Sequence, residues 1–528
     1  MKGEIIVGRI LIKNGKIIDG SGAPFFYGDV LVEKGRIQEI GLVNTGAEHV
    51  IDAAGKVVAP GFIDIHTHSD TVYMLNNRGK SKIEQGVTTE LVGNCGFSVA
   101  PAYGQAAKDI GRNLGKKGLE LSWEGYEEYL QALQKARPTA NLAGLVGHGT
   151  LRKSVVGSEE RKANSSEMEQ MEKILGESLE AGAFGFSSGL LYAPSCYGDA
   201  AEFVRLGKVA ARYGGIYATH MRNESDRLME SVQESAEIGR QSGVAVQVSH
   251  HKVGGEKNWG AVKNTLASLQ ELRQQGLDIT CDVYPYIATS TSLGALLPSW
   301  AHDGGTDKML ENLQKPDFYE KVRQEVERIE GDRGYDKIMV SYLPEGELKQ
   351  YEGLRLAEIA EKTGRSGVDC LIFLVQASEA EAGMIRFGMC EEDVQAVLQN
   401  PLSMVGSDGS ALTEREGKPH PRNFGTFPRV LGHYVREQQI MSLEKAVNKM
   451  TGFPAWRLGL WNRGLLRTGF AADITIFDPE QVAEGATFSQ PFQSPRGIDW
   501  VLINGEVVLQ EGEQQPVFPG RVLRRGRF

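Results

Sequence analysis

The pattern of apolar and polar positions changes texture twice along the chain. Over residues 1–59, short β-branched runs break at small turns: 9–18 around Asn14-Gly15, 29–40 around Lys34-Gly35 and 49–58 around Ala54-Gly55. Short runs punctuated by glycine predict β-hairpins. The same texture returns at 472–477 and at 500–509, where Asn504-Gly505 supplies the turn. Neither flank holds enough strands for a core of its own. Together, 1–59 and 465–528 are expected to form one small β-sandwich.

Between the flanks, over 60–464, eight apolar runs end in polar or small residues: 61–66, 88–93, 142–147, 183–187, 215–220, 244–250, 278–284 and 402–408. Helical periodicity fills several of the gaps. Met171, Ile174, Leu175 and Leu179 follow a capping box read at Ser166 and Glu169. Val262, Leu266 and Leu269 form a stripe that stops at Gly276. Eight strand–helix units predict an α/β chain folded as a (β/α)8 TIM barrel, with catalytic groups at the C-terminal ends of the strands. A doubly wound open sheet is the alternative, but no glycine-rich phosphate loop follows any strand. The connection 285–402 is oversized and carries its own strand-like run, 337–343, and helix, 354–362. Long insertions at a barrel mouth commonly carry function, so part of it is expected to act as a lid.

Charge and composition then remove several classes of function. The formal net charge is −10, with both signs interspersed. No basic face is available to displace the counterions of a nucleic acid. No apolar stretch is long enough to cross a bilayer, and the charged, glycine-broken start lacks the apolar core of a signal peptide. Five scattered cysteines make no disulfide framework and point to a reducing cytoplasm.

The candidate chemistry sits where the strands end. His66 and His68 follow the first run, and two imidazoles two residues apart can converge on one metal ion. Strand alternation would point Asp64 the same way as these histidines. Cys95 ends the second run between glycines, His220 ends the fifth and His250 the sixth. His250 shares a face with Lys252 by alternation, leaving His251 on the other. His148, at the third strand end, has two readings: a substrate contact or a structural turn residue. Asp408 ends the eighth run, where a carboxylate facing an activated water is a natural general acid/base.

This order of motifs resembles the amidohydrolase superfamily. Within it, Gly-Asn-Cys95-Gly, Ser-His250-His-Lys252, His420-Pro-Arg422-Asn-Phe-Gly-Thr-Phe, Met450-Thr-Gly-Phe-Pro-Ala and Gly469-Phe-Ala-Ala-Asp473 resemble the D-aminoacylases, the N-acyl-D-amino-acid deacylases. The resemblance implies a tightly bound Zn2+ on Cys95, His220 and His250, and a second, weaker position on His66 and His68. It implies Asp408 as the acid/base, with Lys252, Tyr284, Ser290 and Arg422 receiving a small N-acyl amino acid. Arg415 competes with Arg422 as the carboxylate anchor. Many superfamily members carry a strand-four lysine; here that strand reads Ala-Phe-Gly-Phe-Ser-Ser-Gly. The gap counts against a cyclic-amide hydrolase of the dihydroorotase or hydantoinase type. A non-catalytic binding protein of this fold would lack ligands or the aspartate, and none is missing. Leu191-Tyr192 and 293–300 are largely apolar and hold no cation to meet a buried carboxylate. A hydrophobic or neutral substrate side chain, with Tyr192 beside it, is therefore expected over D-glutamate or D-aspartate.

Overall fold

The computed structural model describes residues 8–412 and 416–526. Its centre is a ring of eight parallel strands, one for each expected run. In order they are Phe62–Asp64, Val87–Val92, Asn141–Gly144 continued by Val146–Gly147, Gly185–Gly189, Ile216–His220, Ala245–Val248, Ile279–Val283 and Ser403–Val405. The third strand joins the two arcs of the ring, one arc pairing on either side of Leu145. The ring closes between the first and eighth strands just beyond their ends. There the Asp408 amide donates to the His66 carbonyl at 2.8 Å and the His68 amide to the Gly409 carbonyl at 2.9 Å. Ile63, Leu91, Ala143, Phe184, Ile216 and Met404 are buried together from strands all round the ring, filling it below the mouth as a packed barrel requires.

Local sequence places the outer helices. The helix Ser165–Ala181 starts at Asn164, whose side chain accepts from the Glu167 amide while Glu167 reaches back to the Asn164 amide. The capping box is therefore Asn164/Glu167 rather than Ser166/Glu169; asparagine is as good an N-cap as serine and lies a step earlier. The helix Ala261–Gln274 stops before Gly276, which takes a φ of 93°.

The terminal segments pair into one nine-stranded sheet with the order expected of a joint unit: strands from both ends meet where Val57–Pro60 runs antiparallel to Ile474–Phe477. Its core mixes Ile12, Val30, Ile51 and Val58 with Ile474, Ile476 and Leu502. Two hairpins are corrected. His49–Asp52 and Val57–Pro60 both run parallel to Ile10–Ile17, so Ala54-Gly55 links two successive partners of one strand rather than turning a hairpin. Residues 10–17 form a single strand, and Asn14-Gly15 is a bulge in its pairing with Phe26–Glu33 rather than a turn. Asn14 takes a φ of 57°, which a bulge accommodates as well as a turn does.

The excursion after the seventh strand carries a three-stranded antiparallel sheet of Ala288–Ser292, Gly383–Phe387 and Ile338–Tyr342. Helices Thr306–Asn312, Pro316–Glu330, Leu356–Thr363 and Gly367–Ala377 pack with it around a separate core that includes Val322, Val340, Ile359 and Leu371. Among the described residues no helix is long and apolar enough to cross a membrane.

Candidate metal centre and active site

Cys95 stands between two sets of donor atoms at the barrel mouth. One set is Cys95, His220 and His250; the other is His66, His68, Cys95 and Asp408. Within each set the atoms lie within 4.8 Å of one another. The Cys95 Sγ is 3.3 Å from His66 Nε2 and 3.4 Å from His250 Nε2. His68 Nε2 is 3.0 Å from Asp408 Oδ1, and His66 Nε2 is 3.4 Å from the same oxygen.

The backbone that delivers these groups is unusual. Cys95, His250 and Asp408 hold φ values of 53°, 36° and 51°, a left-handed region that side-chain-bearing residues seldom occupy. Close packing around Cys95 enforces its turn. A Cβ on Gly93 would lie 2.1 Å from the Leu145 carbonyl oxygen, and one on Gly96 would lie 2.6 Å from the Gly189 nitrogen. Only glycine fits on either side of the cysteine. The first, sixth and eighth strands are also shorter than the apolar runs, ending at Asp64, Val248 and Val405. His66, His68, His250 and Asp408 are therefore aimed by turns, not by strand alternation. Asp64 does not reach the mouth. It is buried in the closing seam, where it accepts from Lys82 Nζ at 2.8 Å and from the Ser407 amide at 2.8 Å.

A second layer, which sequence reasoning missed, orients the donors. Asp282 lies 3.1 Å from His66 Nδ1, and it accepts from the His250 amide at 2.7 Å and the Gln247 side chain at 2.8 Å. A carboxylate on Nδ1 leaves the Nε2 lone pair of His66 facing the centre, the usual arrangement behind a metal-bound histidine. Glu224 lies 3.0 Å from His250 Nδ1 and 2.6 Å from Lys252 Nζ. Asp282 could have been found by its place two residues before Tyr284 in the seventh strand. Glu224, four residues past His220 in a loop, carried no such signal.

The electrostatics favour the ligand form at Cys95 and His220, whereas the anions gathered round His250 and His68 hold a proton on those rings. Burial pushes the Cys95 thiol up, yet the His66 and His250 charges outweigh it and hold the thiol well below its usual range. Burial lowers His220, giving the neutral imidazole that binds metal. Burial and Lys252 work against protonation of His250, but Glu224, Cys95 and Asp408 carry it to about 9. His68 also rises to about 9, burial being outweighed by Asp408 and Cys95. Burial raises Asp408, but Arg422, His66 and His250 hold it well below the ordinary carboxylate range. Among the described residues, neither ring nitrogen of the buried His220 has a hydrogen-bond partner. Buried polar atoms are rarely left so. A thiolate and two imidazoles converging on one point are a zinc donor set, so the residues fit the metal.

The mouth opens into a cavity of about 790 Å³. Tyr192, Lys252, Tyr284, Ser290 and Arg422 all line it, as does part of the excursion, from Leu296 to Trp300 and from Glu325 to Arg333. Part of the insertion thus lies at the barrel mouth, as one wall of the cavity. Arg422 Nη1 is 2.7 Å from Asp408 Oδ2, and its Nη2 donates to the Ser290 carbonyl at 3.2 Å. The Tyr284 ring lies beneath both cations, 4.9 Å from the Arg422 guanidinium and 5.8 Å from Lys252 Nζ. Ser290 meets Arg422 through its backbone, and its neighbour Thr291 binds the Tyr192 hydroxyl at 3.1 Å. Arg415 lies outside the described residues. His148 is fully buried away from the cavity, 2.8 Å from both Ser195 Oγ and Glu202 Oε1, which makes it structural. His251 turns away to Thr265.

A closed barrel with histidines, a cysteine and an aspartate gathered at its strand ends defines a metal-dependent hydrolase of the amidohydrolase type. The pattern of the amidohydrolase family matches residues 49–250 and 354–509, and the chain belongs to that family. It falls in the D-aminoacylase branch. It is 38% identical to a D-aminoacylase of Alcaligenes xylosoxydans xylosoxydans, over 98% of this chain and 97% of that one. It is 36% identical to an N-acyl-D-glutamate deacylase of the same organism, over 98% and 96% of the two chains. The structure of an N-acyl-D-glutamate deacylase from Bordetella bronchiseptica, complexed with zinc and a phosphonate inhibitor, superposes with a TM-score of 0.84. It is 37% identical and covers 98% of this chain and 99% of that one.

Proposed function

We propose that the protein is a zinc-dependent deacylase that hydrolyses N-acyl-D-amino acids to a carboxylate and a free D-amino acid. The observation that carries this is Cys95 shared between two donor sets, with Asp408 at the edge of one of them. Cys95, His220 and His250 would hold the tightly bound zinc, and His66 and His68 would form a second, weaker position. When bound, zinc supplies Lewis acidity that lowers the pKa of a coordinated water to about 7 and polarises the acyl carbonyl.

The remaining chemistry belongs to the chain. Asp408, kept ionised by Arg422, accepts the proton of the attacking water and returns it to the departing amine nitrogen. Lys252, Arg422 and Tyr284 gather round the substrate α-carboxylate, where a guanidinium can bind it in bidentate fashion. Tyr192, Ser290 and Thr291 flank the amide. Leu191, Leu296, Leu297, Met384 and Met389 offer apolar lining for a neutral or hydrophobic side chain. No lysine lies in Gly185–Gly189, which supports a linear amide over a cyclic one. The free cysteines, scattered through the described residues, suit a reducing cytoplasm. In this reading 1–59 and 465–528 form a supporting unit for the barrel of 60–464.

Metal analysis with steady-state rates on N-acetyl-D-methionine, D-leucine, D-phenylalanine, D-glutamate and their L-enantiomers tests the reading. Zinc with turnover of the D-substrates is expected. Preference for any L-enantiomer would overturn it.

A further inference from the structure

Among the described residues, the far wall of the cavity, built by the excursion, carries two arginines, Arg333 and Arg386, and two glutamates, Glu325 and Glu330. In the small sheet Arg386 is the register partner of Thr289, and Met384 that of Thr291. Alternate residues of a strand share a face, so these four lie on one face of the sheet, and all four line the cavity. Arg386 Nη2 lies 2.6 Å from Glu330 Oε2, an ion pair outside hydrogen-bond alignment. Arg333 Nη1 lies 3.4 Å from the other oxygen, Oε1, and Arg333 Nη2 donates to Ser225 Oγ. The Glu330 side chain is only 3% exposed, and the residue closes the helix Pro316–Glu330. Its consequence for the cavity is charge cancellation: with Glu325, which holds the Trp300 indole at 2.7 Å, it brings the formal charge of the wall to zero.

We propose that Glu330 is a specificity-determining residue. It occupies Arg386 and Arg333, and so makes the side-chain end of the cavity receptive to neutral side chains and poor for carboxylate-bearing ones. The proposal rests on the deacylase reading above. A buried substrate carboxylate needs a cation with donors to spare. Here one nitrogen of each arginine is drawn to Glu330. Replacing its charge would leave the wall net positive, with Arg386 turned towards an incoming anion.

The test compares zinc-loaded full-length protein with its Glu330→Gln and Arg386→Gln variants. Rates are measured on N-acetyl-D-glutamate and N-acetyl-D-leucine. Calorimetric binding of both compounds is measured in an Asp408→Asn background, where turnover is suppressed. Glu330→Gln is expected to raise the D-glutamate to D-leucine ratio on the order of tenfold, mainly through KM and the binding constant. The gain should shrink at high ionic strength. Arg386→Gln should not raise the ratio. If Glu330→Gln fails to fold by circular dichroism, the Glu330→Gln/Arg333→Gln double variant must still raise the ratio, by less than about tenfold, because it frees Arg386 while leaving the wall without net charge. A folded variant with an unchanged ratio overturns the proposal, as does a wild-type preference for D-glutamate. A wild type that hydrolyses neither compound overturns the deacylase reading instead, and the binding ratio still judges Glu330.

Discussion

The near wall of the cavity takes its charged groups from barrel strand ends, whereas the far wall takes them from an insertion with a core of its own. On the near wall, Cys95, His250 and Asp408 are held in left-handed turns, and their charges stay concentrated round one point. On the far wall, arginines and glutamates neutralise one another around Leu296, Leu297 and Met384. The first arrangement suits a group that must bind a cation and move a proton. The second suits a surface that sorts substrates. In the proposed reading, chemistry and selectivity belong to separately folded parts of one chain, and substitutions on the two walls should fail in different ways.

The largest effect is expected on the near wall at Cys95, shared by both donor sets. Cys95→Ala should lose bound zinc and more turnover than the loss of an acid/base, which is typically about 10²–10⁴-fold. Metal analysis checks it, with Cys196→Ala as the variant that keeps its metal. Asp408→Asn comes next: kcat should fall by about 10²–10⁴ while zinc stays on Cys95, His220 and His250. Near-normal turnover there would reduce Asp408 to a turn residue.

A step further out, Asp282→Ala should weaken metal affinity or activity by about 10–100-fold, because it frees the His66 ring and the His250 amide. Chelator competition reads this directly. The smallest effect belongs to the far wall. Leu296→Ala removes three carbons worth roughly 0.8 kcal/mol each if fully buried. Because Leu296 is only partly buried, KM for N-acetyl-D-leucine should rise about tenfold at most, with kcat changing less. If that variant instead lost kcat and KM held, the two walls would not be separable.

The same division explains what could be read from the sequence. Each barrel strand showed as an apolar run, several with a histidine, cysteine or aspartate at or just past its end, because a strand buried on both faces leaves a continuous signal. The donors at positions 66, 68, 95, 220 and 250 stood out for that reason. Strand alternation nevertheless put Asp64 at the mouth, since an apolar run does not show where hydrogen bonding stops. The strand ended at Asp64, and the carboxylate went to Lys82 instead. The partners Glu224 and Asp282 were hidden because their roles depend on contacts between distant strands. The far wall was hidden more deeply: Glu330 and Arg386 are 56 positions apart and meet only through the excursion's own packing. The apolar lining at 293–300 was legible, but the arginines beyond it were not.

The three left-handed residues bear on transplantation. A designer who copied Cys95, His220, His250 and Asp408 onto an ordinary barrel would copy the ligands without the turns that aim them. Each such backbone conformation costs of order 1–3 kcal/mol. Here it is imposed by neighbours such as the Leu145 carbonyl over Gly93 and the Gly189 amide against Gly96. The portable unit is therefore not a set of side chains but a set of loops together with the strand ends they press against. A graft should include 93–96, 249–252 and 406–409 as backbone, and the recipient barrel should have glycine where strand four meets the cysteine turn.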